Sequence, residues 1–73
     1  MGTIGERLRG ARKDWKVTQV ELAERTGVAH STVVRVERGQ ATPRIATVWA
    51  FAEALGVDPK WLAFGEDRKD GER

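Results

Sequence analysis

The stretch His30-Ser31-Thr32-Val33-Val34-Arg35-Val36-Glu37-Arg38 gathers side chains able to make directed polar contacts. Wound at 3.6 residues per turn, it puts Val33, Val36 and Glu37 on one side. Ser31, Val34, Arg35 and Arg38 fall on the other, with His30 on the flank at the very start. The first side is apolar apart from one carboxylate. The second offers a guanidinium that can bond bidentately to guanine O6 and N7, a hydroxyl that meets donor or acceptor edges, and a valine methyl that can touch thymine. Such a face has the size and chemistry to enter a DNA major groove. An ordinary solvated helix face would carry a similar set, so its surroundings decide between the two readings.

Other chemistry finds no constellation. His30 is the single histidine and there is no cysteine, so neither a multi-histidine nor a cysteine metal site is predicted. Ser31 and Thr32 lack the second histidine and acid pattern that nucleophilic catalysis needs, and the glycines form no phosphate-cradling loop. The sequence therefore predicts a non-enzyme with no metal and no cofactor.

The elements that must position this face read as five helices and no sheet, because no segment sustains a period of two. Thr3-Ile4-Gly5-Glu6 fits a capping box, followed by an apolar stripe at Ile4, Leu8, Ala11 and Trp15. Gly5 and Gly10 weaken that helix by about 1 kcal/mol each, so tertiary packing must hold it. Thr18-Gln19-Val20-Glu21 is a second capping box, and Gly27 ends its helix as a left-handed cap. Only Val28 and Ala29 intervene before the third helix, which Gly39 closes. Two helices joined through so short a glycine-containing turn match a helix-turn-helix. Ile45, Val48, Ala52 and Leu55, with Phe51 alongside, mark a fourth helix stopped by Gly56. Asp58-Pro59 opens a fifth, which carries Trp61, Leu62 and Phe64 and ends at Gly65.

The 73 residues bound the answer to one small domain, placed at residues 1–65. Residues 66–73 hold seven charges and one glycine and read as a frayed, solvated tail. No apolar run reaches the roughly 18 residues of a membrane span, no signal-peptide pattern is read, and the lack of cysteine suits a reducing cytoplasm. The net charge is +2, but residues 1–44 carry nine Lys/Arg against five Asp/Glu, while 45–73 carry four against six. A basic half invites a polyanion. Together with the glycine-containing turn, it favours DNA.

The residues that lead to this reading also resemble a known family. The run Val17-Thr18-Gln19-Val20-Glu21-Leu22-Ala23, then Gly27 through Gly39, then Pro43, Ala52-Glu53-Ala54-Leu55-Gly56-Val57 and Trp61-Leu62, is similar to the Cro/cI-type helix-turn-helix regulators. The resemblance spans about residues 4–65. It implies an all-α, lambda-repressor-like domain that regulates transcription, often as a homodimer on a palindromic operator in double-stranded DNA. It implies that the positions of Ala29, His30, Ser31 and Arg35 read bases, joined on the groove-facing side by Val34. Thr18, Gln19, Arg38 and the loop to Arg44 would lie against phosphates. It further implies an ion pair between Arg12 and Glu37, which agrees with the inward side on which the helical winding puts Glu37; a buried carboxylate needs such a partner. Two positions depart from the family pattern. Ala29 stands where a capping Ser or Thr is usual, a loss of about 1 kcal/mol, and Arg44 replaces a usual serine.

Trp15 and Trp61 are expected in the core and Trp49 half-covered. Phe64 has two readings, a self-association contact or plain closure of the core. A dimer would let one recognition helix per chain read two half-sites about 34 Å apart. A rival reading is a protein-interaction module of the same fold that holds a toxin or a polymerase-associated factor. A weaker one is a DNA-binding domain excised from a longer regulator.

Overall fold

The computed structural model describes residues 2–65; the charged segment read as a tail lies outside the described residues. Five helices run in order: α1 (Ile4–Asp14), α2 (Gln19–Thr26), α3 (His30–Glu37), α4 (Ile45–Leu55) and α5 (Pro59–Phe64). None of them is long and apolar enough to cross a membrane.

Local chemistry sets most of the boundaries. The Thr3 hydroxyl accepts from the Glu6 amide at 3.1 Å and the Glu6 carboxylate accepts from the Thr3 amide, so two donors orphaned at the start of α1 are satisfied reciprocally. Thr18 and Glu21 do the same at α2, at 3.0 and 2.8 Å. Asp58 accepts from the Lys60 amide at 2.8 Å, with Pro59 at the first helical position where no N–H is needed. Gly27, Gly56 and Gly65 adopt the left-handed conformation at the ends of α2, α4 and α5. Ala29 and Arg44 stand at the N-caps of α3 and α4 and supply no side-chain bond, as their chemistry requires.

The helices close over one core whose largest fully buried side chains are Phe51, Leu8, Leu22, Leu62, Val33 and Val36. Each contributes about 1.5–3 kcal/mol by leaving water. α3 packs against α2 and α1, α4 against α5 and α2, and α5 against α1. Gly5 allows α1 to cross the end of α3 at backbone contact: a Cβ there would lie 2.3 Å from the Val36 carbonyl oxygen and 2.9 Å from that of Glu37. Arg7, buried among these helices, donates from Nε to the Leu62 carbonyl at 2.9 Å and from Nη2 to that of Ala63 at 3.0 Å. It thereby satisfies carbonyls that a helix end leaves open.

Two expected core residues lie outside. Trp15 is 65 % exposed because α1 stops at Asp14. Trp15 caps the helix, Lys16 turns the chain at a φ of 56°, and Val17 takes the buried place that the stripe assigns to the tryptophan. Ile45 is 66 % exposed at the open first turn of α4, at the margin of a buried face made by Val48, Phe51, Ala52 and Leu55. Trp49 is half-covered, and Trp61 packs partly buried against the core. Phe64 is 67 % exposed, so it does not close the core of this chain.

Candidate nucleic-acid interface

The α2–turn–α3 unit is built on Leu22, Ala23, Val33 and Val36, which face inward from the two helices. With those side chains buried, the opposite side of α3 has to face outward. His30, Ser31 and Arg35 are exposed there, with Ala29 exposed at the cap and Val34 half-buried between them. Arg38, the C-cap of α3, and Arg44, the N-cap of α4, are exposed at either end of the connecting loop. Of the predicted base-facing residues, Ala29, His30, Ser31 and Arg35 are thus exposed and Val34 is half-buried.

The ion pair implied by the resemblance is present. Arg12 Nε donates to Glu37 Oε2 at 2.7 Å and Nη2 to Oε1 at 3.0 Å, a two-pronged arrangement, while Nη1 reaches the Val17 carbonyl at 2.8 Å. The Glu37 side chain is 4 % exposed and that of Arg12 10 %. Removing one partner from such a pair typically costs about 3–5 kcal/mol, because the other charge stays buried. The pair ties α1 to the end of α3 and so fixes the angle at which the outward face is offered.

Gln19, read from the sequence as a phosphate contact, also belongs to this cluster: its Nε2 donates to Glu37 Oε1 at 3.0 Å. Thr18 spends its hydroxyl on the Glu21 amide. The Thr18 backbone amide in turn holds the Glu21 carboxyl below the ordinary carboxylate range, with smaller help from the Thr18 hydroxyl and the Arg25 charge. Arg9, which no motif marked, joins Arg12, Gln19, Glu37 and Arg38 around a polar depression of about 310 Å³. Its spacing of three from Arg12 on one helix was the available signal. Among the described residues no group of three or more His, Cys, Asp or Glu is placed to hold a metal ion.

The family description Helix-turn-helix matches residues 8–62, and the chain belongs to that family of DNA-binding transcription regulators. It is 39 % identical over 67 residues to the HTH-type transcriptional regulator DicA of Escherichia coli, covering 92 % of this chain and half of that relative. Thus the chain spans about half the length of a curated relative it matches. The c2 repressor of Salmonella phage P22, solved in complex with a synthetic operator, superposes with a TM-score of 0.84 at 30 % identity, over 90 % of this chain and 100 % of that one. The restriction-modification controller protein C.AhdI of Aeromonas hydrophila gives 0.78 at 36 % identity, over 81 % and 89 %.

Proposed function

We propose that this chain is a sequence-specific DNA-binding regulator, acting as a repressor or autoregulator, that lays α3 in the major groove. The observation that carries the reading is the outward face of α3, where Ser31 and Arg35 stand exposed on a helix braced from behind by the Arg12–Glu37 pair. Arg35 is the strongest base reader, since guanidinium forks recognise guanine. His30, Ser31, Ala29 and Val34 complete the contact. Thr18, Gln19, Arg38 and Arg44 hold phosphates, which set register and carry no sequence information. The likeness to a repressor solved on operator DNA supports this assignment. The same reading makes the chain a non-enzyme without cofactor, working in the cytoplasm where its DNA is.

A homodimer on an inverted repeat accounts for specificity. Ile45 and Trp49, one helical turn apart on α4, and Phe64 on α5 leave large apolar area in water. They favour a protein contact, and a second copy is the partner that an inverted repeat calls for; a toxin or polymerase partner would use the same surfaces.

Selection of bound fragments from a random DNA pool at about 150 mM salt, where screening is substantial, tests the reading. Enrichment of an inverted repeat with half-sites about one helical turn apart is expected. Recovery without any sequence preference would refute specific readout and leave the protein-interaction module standing.

A further inference from the structure

A hollow of about 400 Å³ opens where the C-terminal ends of α1, α2 and α4 meet. Its apolar lining is Val17 and Leu55, both buried, and the indole of Trp15, which stands exposed outside the core. Two opposite charges line it as well, Arg25 on α2 and Glu53 on α4, and both are exposed. Arg25 lends its field to Glu21 on its own helix. Among the described residues, however, neither Arg25 nor Glu53 forms an ion pair, with each other or elsewhere. At the end of α4 the Gly56 and Val57 amides donate to the Glu53 and Ala52 carbonyls. The next two carbonyls, those of Ala54 and Leu55, receive no donor among the described residues, and they form the negative end of the α4 dipole beside Glu53.

We propose that this hollow is a binding site for a free amino acid with a large apolar side chain. A simple cation would face Arg25, and a simple anion would face Glu53. A zwitterion satisfies both. Its carboxylate takes the Arg25 guanidinium, whose fork matches two oxygens. Its ammonium, with three donors, goes to Glu53 and the open carbonyls of α4, all of which only accept. Its side chain covers the Trp15 indole and the apolar lining of Val17 and Leu55. The volume falls within the about 300–1,000 Å³ of small-molecule sites. The residues assigned to DNA lie elsewhere: Thr18 and Arg44 cap the starts of α2 and α4, whereas Arg25 and Glu53 lie in the last turns of the same helices. The inference therefore goes beyond the DNA-binding reading and stands without it.

The test is a titration of the whole chain with L-leucine and with L-phenylalanine, followed in ¹⁵N spectra. At least one probe is expected to move the Trp15 indole signal and the Val17 and Gly56 amide signals saturably, while those of Ser31 and Arg35 stay in place. No saturable movement by either probe at millimolar concentration would overturn the proposal. Three analogues then separate the contacts. N-acetyl-L-phenylalanine lacks the ammonium, L-phenylalaninamide lacks the carboxylate, and glycine lacks the side chain. Each is expected to bind about tenfold more weakly than the parent, the worth of one bond to a charged group or of one buried side chain. Analogues that bind as well as the parent would overturn the zwitterion assignment. Arg25→Gln and Glu53→Gln alter exposed side chains and leave the core untouched. Arg25→Gln is expected to weaken L-phenylalanine about tenfold and to leave L-phenylalaninamide unchanged, since that analogue has no carboxylate to lose. Glu53→Gln should act in the mirror sense, weakening L-phenylalanine and sparing N-acetyl-L-phenylalanine. Variants that bind every ligand as the unaltered chain does, or that weaken parent and analogues alike, would overturn the roles given to the two charges and with them the site.

Discussion

Replacing Gly5 by alanine gives opposite signs from local and tertiary physics. In an exposed helix interior, Gly→Ala stabilises by about 1 kcal/mol, because alanine loses less backbone freedom on folding. Here the added methyl would sit 2.3 Å from the Val36 carbonyl oxygen and 2.9 Å from that of Glu37, both backbone atoms with no rotamer to change. Ordinary contact begins near 3.4 Å, so α1 and α3 must separate by about 1 Å where they cross. Forcing such a volume into a packed junction costs about 1–3 kcal/mol, with the upper end appropriate where both obstacles are main chain. Set against the propensity gain, the net is a destabilisation of about 1–2 kcal/mol. For a domain of this size that lowers Tm by about 4–16 °C, at 4–8 °C per kcal/mol. The assay is a circular-dichroism melt of the two chains under one buffer. A raised Tm for Gly5→Ala would show that α1 and α3 do not meet at backbone contact and would refute the reasoning. The separation also acts on the ion pair, since Glu37 lies at the same crossing. DNA affinity should therefore fall further than the loss of folded fraction explains.

Three other outcomes are expected. Ala29→Ser restores a side-chain acceptor at the start of α3 and should stabilise by about 1 kcal/mol, read as a raised urea midpoint at unchanged m-value. Arg35→Ala should cost about 1–3 kcal/mol on the selected duplex and relax preference at one base pair, seen by repeating the selection with the variant. The Glu21 carboxyl is held below its ordinary value of 4.5 by the Thr18 amide, so its stabilisation is present above that value and is lost as the pH falls through the lowered one. Acid titration followed by circular dichroism should show a shallower acid limb for Glu21→Gln.

Much of this architecture is local and therefore readable. Thr3 with Glu6, Thr18 with Glu21, and the left-handed Gly27 and Gly56 satisfy bonds within a few residues, so spacing alone reports them. The inward place of Glu37 follows from the winding of one helix. What escapes depends on residues far apart in the chain. Arg7 meets Leu62 and Ala63, and Gly5 meets the end of α3; nothing in the neighbourhood of either residue announces its partner. Trp15 misleads because the stripe extends one residue past the point where α1 stops. Within the candidate site the exposed outer side of α3 and the ion pair are legible. The bond from Gln19 to Glu37 and the place of Arg9 are not, since both require the angle between α1, α2 and α3.

The bonds from Arg7 to the last carbonyls of α5 join the first helix of the domain to its last. A helix of six residues cannot hold itself in water, so α5 persists only through what it touches. If it frays, a buried guanidinium loses both of these acceptors at once, and α1 is destabilised in the same event. The two ends of the described chain thus open and close as a single cooperative unit. Amide exchange in α1 and α5 should then share one opening free energy, although more than fifty residues of sequence lie between Arg7 and Leu62.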